Sequence, residues 1–533
     1  MRRFSSYGPV NKELHYYVPR EELVQRACLE LLGEDPKREG HYITVWAPRQ
    51  CGKTWIMNEV LWRLKADASF HALKLSMEIL KGVEDTEKVV NGIARMISRG
   101  LNLELPSLAG PSEFDAVFFK EVLHRPLVLI LDEFDALSEE AIGALVGVFR
   151  HIHNIRRQSP GPSAEKEYLL HGLALVGVRS VLGVENVRGS PFNVQRSMRI
   201  PNLTRDEVRS MFRWYEEESG RKVGEAVVDG VFDETRGQPG LVSWLGELLS
   251  EGYEEYRPNF RKPVTAADWE RVLADAVEAL PNNNILNIIS KAREEPYVET
   301  VLELFKTRET VLFRFDDPLL SFLYMNGVID RERTGEGESA VRFSSPFVQK
   351  RLFNYFSRRI FPTVDHLYDP MEELGSVLSQ GEVRIPGLLV LYQKYLSQNR
   401  DWLLKDAPRR RTDLRIYEAV YHFNLYMYLK QFFRDKGGQV FPEFPTGNGK
   451  VDLLVRYGGR LYALELKSFK DLFAYRKALE RAAEYAVQLG LDRIHLILFI
   501  EEIGDEDRRR LEPPYEDAES GVTVEPLFVE TGR

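Results

Sequence analysis

Two groups of residues have the types and spacings that chemistry requires. The first is APRQCGKT at 47–54, which follows an apolar run at 43–47 and opens a stretch of helical periodicity at 54–65. A glycine-bearing loop between a strand and a helix N-terminus offers backbone N–H groups to an anion. Pro48, Arg49, Gln50, Cys51 and Gly52 form the loop, and Gly52 admits a phosphate without a Cβ clash. Lys53 would neutralise β- and γ-phosphate charge, and the Thr54 hydroxyl would reach Mg²⁺. Ala47 replaces the glycine that often opens such a loop, at a turn position that carries no charge. The partner motif is LVLILDE at 127–133, a buried-strand pattern ending in two carboxylates. Asp132 would hold Mg²⁺ through water, and Glu133 would orient or deprotonate an attacking water. The two motifs, in this order, imply ATP and Mg²⁺ as cofactors and hydrolysis as the reaction.

The second group lies at 440–467. Residues 440–444, 451–455 and 461–467 read as strands, separated by turns at 446–449 and 457–460. Side chains alternate along a strand, so Glu465 and Lys467 share a side with Leu466 opposite, and Asp452 on the neighbouring strand can meet them. Two carboxylates and an amine then converge at a sheet edge. Asp452 and Glu465 are hard oxygen ligands suited to Mg²⁺, which would polarise a phosphate and lower the pKa of a bound water. Lys467 would stabilise developing charge or position that water. Residues 416–433 read as an amphipathic helix carrying Glu418, within reach of the same metal. The bland alternative is a surface hairpin with a solvated Glu–Lys pair. Against it, all three residues are flanked by apolar ones, and charge inside a strand core is costly without a partner. Glu443 has no assigned chemistry.

A chain of 533 residues exceeds one hydrophobic core, so two to four domains are expected. The fold class is α/β: the apolar runs at 43–47, 127–131 and 173–178 alternate with helical segments, as in a parallel sheet with helices on its faces. Helices follow over 201–260, with a capping box at 204–207. Over 296–360 a helix at 318–325, a strand from 327, a polar turn at 331–339 and a strand at 340–343 suggest a winged helix or a plain α+β connector. Residues 361–415 read as helical. The two cysteines support neither a disulfide framework nor a zinc site. No apolar stretch follows Arg2 and Arg3, and none is long enough to span a bilayer, so a cytoplasmic protein without membrane association is expected. Net charge is −9, yet residues 409–500 hold 16 basic against 10 acidic residues, and 501–533 hold 4 against 11. Arg409, Arg410, Arg411, Arg415, Lys450, Arg456, Lys470, Arg476 and Lys477 could follow a phosphate backbone, and the alternative is a solvated basic face. No base-reading motif is present, so nucleic acid, DNA above all, would be bound with little sequence specificity. His151 and His153 cannot share a helix face, and Trp46, Trp55 and Trp62 around the loop read as core.

The pieces YYVPR at 16–20, APRQCGKT, LVLILDEFDAL, LALVGVRS and TRGQPGL make residues 16–249 resemble AAA-type ATPases related to the STAND signalling NTPases. That resemblance implies that Arg179 senses the γ-phosphate, that the helical lid brings Gly237–Pro239, and Pro239 with it, near the nucleotide, and that segment 16–20 packs on the base. No AAA-style arginine finger is recognisable, so no ring follows, and the oligomeric state stays open. Residues 411–500 resemble the PD-(D/E)xK nuclease superfamily, through Asp452 and Glu465-Leu-Lys467, with Glu418 matching the acid of its first core helix. The expected division is an ATPase core at 1–200, a helical lid at 201–290, a winged-helix-like region at 291–360, a helical linker at 361–410 and a restriction-endonuclease-like domain with an acidic tail at 411–533. The implied function is ATP-gated phosphodiester cleavage. The competing class is a regulatory ATPase whose end domain binds a partner and cuts nothing. A helicase is less well supported, since no helicase motifs follow the 127–133 strand.

Overall fold

The computed structural model describes the chain except residues 7, 9, 105–107, 109, 178–195, 307–310, 335–336, 361–366, 368–373, 380, 406–417, 444–451, 470 and 533. Of residues 306, 360, 376, 402, 418, 443 and 452 only the backbone is described. The chain forms two compact units, Met1–Asn284 with Arg314–Gly327, and Ile285–Phe313 with Val328–Arg533.

The first unit is built on strands whose residues are apolar on both faces, the composition of a doubly covered parallel sheet. β1 (Tyr42–Trp46), β2 (His71–Ser76), β3 (Leu127–Asp132), β4 (Leu170–Gly177) and β5 (Arg196–Arg199) pair in the order β2-β3-β4-β1-β5, all parallel. Alternation splits β3 between two cores. Leu127, Leu129 and Leu131 pack with Ile93 and Phe149 from the helices Thr86–Leu101 and Glu139–Gln158. Val128 and Ile130 pack with Val24 and Ile56 from Glu21–Leu32 and Lys53–Lys65. β4 lies between β1 and β3, and the carboxyl ends of the strands are the usual ligand side of such sheets. The helices Arg205–Ser219, Glu225–Thr235, Pro239–Glu251 and Ala266–Glu278 follow. The Thr204–Glu207 capping box closes as expected, the Thr204 hydroxyl accepting from the Glu207 N–H and the Glu207 carboxylate from the Thr204 N–H.

The second unit holds a hairpin of β6 (Ile329–Arg333) and β7 (Ser339–Phe343), and a two-residue hairpin of β8 (Leu378–Ser379) and β9 (Glu382–Val383). Its main sheet comprises β10 (Gln439–Glu443), β11 (Asp452–Tyr457), β12 (Arg460–Ser468), β13 (Arg493–Ile500), β14 (Tyr515–Glu516) and β15 (Thr523–Glu530). Their order is β10-β11-β12-β13-β15-β14. β10, β11 and β12 form an antiparallel meander, and β12, β13 and β15 run parallel. The helix Leu472–Gln488 covers one face, where Ala478 and Leu479 meet Ile494, Leu496 and Leu498. The helix Glu418–Phe433 covers the other, with the Tyr421 and His422 rings 6.0 and 5.3 Å from Phe499.

Four sequence expectations need correcting. The 418–433 helix is not amphipathic. It is buried from Ala419 to Tyr426 because Phe353 packs on Phe423 and Tyr426 while Tyr392 hydrogen-bonds Asn424. The polar turn expected at 331–339 is shorter: β6 runs to Arg333 and β7 starts at Ser339, since exposed strand residues of a hairpin are polar. The linker region is interrupted by β8 and β9 before the helix Ile385–Leu403. Glu465 and Lys467 do not lie at a sheet edge, because β13 continues the sheet beyond β12. No helix among the described residues is long and apolar enough to cross a membrane.

Candidate functional site

β1 ends at Trp46, and a loop passes from Ala47 to Gly52 before the helix Lys53–Lys65. Two residues of the loop take left-handed backbone, Gln50 at φ 57° and Gly52 at φ 86°, which turns the chain sharply enough to aim the helix N-terminus back at the strand end. The first turn closes with the Ile56 N–H on the Gly52 carbonyl, leaving its earlier amides at the helix mouth. Lys53 folds back over the loop, and its ammonium donates to the Ala47 and Pro48 carbonyls at 2.7 and 2.9 Å. Burial lowers its pKa, opposed by Cys51 and by the Asp135 and Asp132 carboxylates. Thr54 is exposed and Arg49 and Gln50 are exposed, whereas Cys51 is buried and its thiol is pushed up by that burial.

β3 brings the acids. Asp132 is 3% exposed, accepts from the Glu133 N–H at 3.0 Å through Oδ1, and pairs through Oδ2 with the Lys74 ammonium at 3.0 Å. Glu133 sits at φ 58°, and its carboxylate accepts from the Ser76 hydroxyl at 2.5 Å. Asp135, in the turn after Glu133, lies against the end of β4, where a Cβ on Gly177 would come within 2.7 Å of its Oδ1. Lys74, Ser76 and Asp135 were not anticipated. Asp135 had a signal, since it falls three residues after Asp132 in LDEFD, a spacing that one tight turn folds back. Lys74 and Ser76 had none, because only the β2–β3 register, Ser76 opposite Asp132, brings them to the acids.

Residues 238–240 reach the backbone of the loop. Gln238 caps the helix Pro239–Glu251 and also donates to the Arg49 carbonyl at 3.0 Å, and the Gly240 N–H donates to the Gln50 carbonyl at 3.1 Å. A Cβ at Gly240 would come within 2.4 Å of the Gln50 side chain. Pro239 starts that helix beside these contacts. In the upstream segment, the Tyr17 ring sits 5.0 Å from Trp55, and Arg20 donates to the Pro201 carbonyl at 2.7 Å. Arg179 lies outside the described residues. Arg199, at the end of β5, lies over the Tyr324 ring at 4.8 Å and the Trp46 ring at 5.9 Å. Trp46 and Trp55 are core, but Trp62 is 51% exposed, resting edge-on against Trp55 under the Lys12 ammonium.

The second candidate site is a register. Asp452 pairs with Glu465 across β11 and β12, and with Glu443 across β10 and β11. Directly paired antiparallel positions lie on one face of a sheet, so three carboxylate positions stand abreast. Glu465 and Lys467 are 0% and 3% exposed and form an ion pair at 2.7 Å. Their strand neighbour Ala463 packs with the Leu472–Gln488 helix, which marks the face they share. Glu418 begins the helix over the opposite face. Arg409, Arg410, Arg411, Arg415, Lys450 and Lys470 lie outside the described residues, while Arg456, Arg476 and Lys477 are exposed. No group of three or more His, Cys, Asp or Glu side chains placed to hold a metal occurs among the described residues.

A parallel sheet ordered β2-β3-β4-β1-β5, with a lysine-bearing loop after β1 and an acid pair after β3, defines the core of a P-loop ATPase. Residues 5–251 match the family model described as an AAA-like domain. No curated protein matches. Among solved structures, the chain is similar to the ORC1 protein of Aeropyrum pernix in complex with DNA, at 17% identity and a TM-score of 0.32, over 65% of this chain and 95% of that one. It is similar to the Walker-type ATPase of Pyrococcus abyssi at 13% identity and a TM-score of 0.39, over 66% and 99%. Likeness to the RuvB Holliday junction branch migration motor of Thermotoga maritima is 14% identity at a TM-score of 0.32, over 61% and 92%.

Proposed function

We propose that this protein binds and hydrolyses ATP at 47–54 and that nucleotide state gates a Mg²⁺-dependent nuclease site in the second unit, acting on DNA with little sequence specificity. For the ATP half, one observation carries the reading: the Lys53 ammonium is parked on loop carbonyls that a phosphate would replace, with Asp132 and Glu133 at the end of β3, one strand removed from β1. Pro48, Arg49, Gln50, Cys51 and Gly52 would supply the cradle, and Thr54 and Asp132 the oxygen ligands that suit Mg²⁺. Arg179 and Pro239 would complete the site from the sensor strand and the lid.

For the nuclease half, the support is the Glu443–Asp452–Glu465 register. Like charges placed directly opposite destabilise a sheet, so such a row favours a cation. Asp452 and Glu465 would hold the metal, which would supply a polarised phosphate and an activated water, while Glu418, expected to join them, starts the helix over the other face of the sheet. Lys467 would carry the developing charge. The segment order from 418 onward, helix, three antiparallel strands, helix, parallel strand, fits the PD-(D/E)xK resemblance. The helices Tyr297–Lys306 and Pro318–Met325 followed by the β6–β7 hairpin support a winged-helix-like region at 291–360, between a lid at 201–290 and a linker at 361–410.

A second reading keeps the ATPase as a regulatory switch with a non-cleaving end domain, and the buried Glu465–Lys467 contact favours it. Incubating the full chain with plasmid, linear DNA and RNA, with Mg²⁺ or Mn²⁺ and with or without ATP, separates the two. Lys53→Ala should reduce ATP turnover at least about a hundredfold, and Asp452→Ala should abolish cleavage while ATP turnover persists. Cleavage by Asp452→Ala at the wild-type rate would sink the nuclease assignment. Hydrolysis by Lys53→Ala at the wild-type rate would sink the other.

A further inference from the structure

Asp132 is 3% exposed, and a carboxylate removed from water needs a counter-charge. Two cations lie close to it, and they are employed differently. Lys53 donates to the Ala47 and Pro48 carbonyls. Lys74, projecting from β2, places its ammonium 3.0 Å from Asp132 Oδ2. The register explains how it gets there. Ser76 is the residue opposite Asp132 and Lys74 is opposite Ile130, so Lys74 reaches diagonally along the ladder on the same face. With Oδ1 accepting from the Glu133 N–H, both carboxylate oxygens are occupied by the protein itself.

We propose that Lys74 is an internal stand-in for the divalent metal: it neutralises Asp132 while the nucleotide site is empty, and Mg²⁺ arriving with nucleotide must displace it. The proposal rests on reading Asp132 as the metal-holding carboxylate. A divalent ion at Asp132 and an ammonium on the same carboxylate repel each other, so the two occupancies exclude one another. Lysine suits the role, because its compact charge on a flexible four-carbon stem can withdraw without moving the strand. The Lys74 side chain is 14% exposed against 4% for Asp132, so a path to water exists on its side of the pair. Competition of this kind reduces metal affinity by the fraction of time the pair is made. Lys74 therefore sets the Mg²⁺ concentration at which the site accepts nucleotide, without contacting the nucleotide.

The test is binding of a fluorescent ADP analogue to the full chain at increasing Mg²⁺, for wild type, Lys74→Met and Lys74→Arg. Lys74→Met should bind at a half-saturating Mg²⁺ about tenfold lower than wild type, and Lys74→Arg should stay close to wild type. Without nucleotide, Mg²⁺ alone should raise the thermal unfolding midpoint of Lys74→Met and leave that of wild type where it was. If Lys74→Met does not fold in metal-free buffer, rescue by Mg²⁺ supports the proposal and failure of rescue overturns it. An unchanged or higher Mg²⁺ requirement in Lys74→Met that binds nucleotide also overturns it. Absence of nucleotide binding by wild type at any Mg²⁺ would remove the ATP reading beneath it.

Discussion

At the end of β1 the charges stand where a strand stops, on a loop and a helix N-terminus, and the groups they hold are backbone carbonyls. In the second unit Glu465 and Lys467 stand inside a strand, beneath a helix, and hold each other. The first arrangement is made to be exchanged, since a carbonyl gives up an ammonium to a phosphate at little cost to the fold. The second is part of the core, so whatever uses its charges must compete with a buried ion pair. Position relative to the strand end, more than residue type, separates a loop whose charge rests on backbone carbonyls from a site that is also a structural member.

The sharpest way to break this comparison is to remove one partner in each place. Lys467→Met strips Glu465 of the ammonium 2.7 Å away in a site that is 0% exposed, and should cost about 3–5 kcal/mol of unfolding free energy in urea. Replacing both with apolar residues, Glu465→Leu with Lys467→Met, should recover most of that loss, because two residues in contact are not additive. Lys53→Ala should leave unfolding almost unchanged. A cost below about 1 kcal/mol for Lys467→Met would mean that its pair is not structural.

Glycines sharpen the comparison at a smaller scale. Gly237, at φ 70°, would place a Cβ 1.9 Å from the Leu203 carbonyl, and Gly458, at φ 57°, one 2.0 Å from the Gly381 carbonyl. Alanine at either position should cost about 2–3 kcal/mol, from left-handed backbone and a clash with main chain. The consequences should differ. Gly237 leads directly into Gln238, which holds the Arg49 carbonyl, so Gly237→Ala should weaken binding of the fluorescent ADP analogue. Gly458→Ala should destabilise the β11–β12 hairpin and leave nucleotide affinity alone. Equal nucleotide affinity in both variants would mean that the lid does not support the loop.

Local sequence carried much of the first unit, because a loop, a cap and a buried strand each declare themselves within about ten residues. The 47–54 loop, the run ending at Asp132 and the Thr204 cap are of this kind. The turn at Tyr457–Arg460 was equally plain, since Gly458 and Gly459 both need positive φ. What stayed hidden depends on register between distant strands. Lys74 and Ser76 read as ordinary alternation in HALKLS until β2 is laid beside β3. The burial of the 418–433 helix was hidden for the converse reason: its polar residues His422 and Asn424 are covered by neighbours from the rest of the unit, which local pattern does not show. Trp62 read as core beside two buried tryptophans, yet it lies over its neighbour on the helix surface.

Acidity should also distinguish the units, with the smallest effect. His171 is fully buried; its Nε2 faces the Leu32 carbonyl at 3.1 Å, which can only accept, so Nε2 carries the proton and Nδ1 accepts from the Ser163 hydroxyl at 2.7 Å. Burial, and then the Arg156 charge, bring its pKa down to about 4, and burial likewise brings His153 to about 4. An imidazole whose folded pKa lies below its unfolded value of about 6.5 binds protons more readily when unfolded. Its stabilisation is complete above about pH 6.5 and is lost as pH falls toward 4. In the second unit one lowered group is Glu525, held down by hydrogen bonding to His495 and by Arg493, so its contribution persists to more acid pH and is lost only below about 4.5. Unfolding followed by hydrogen exchange should show the first unit losing about 1–2 kcal/mol between pH 6.5 and 4 while the second holds. His171→Gln should flatten that slope without changing the second unit. Equal acid sensitivity in both units would show that the buried histidines do not set it.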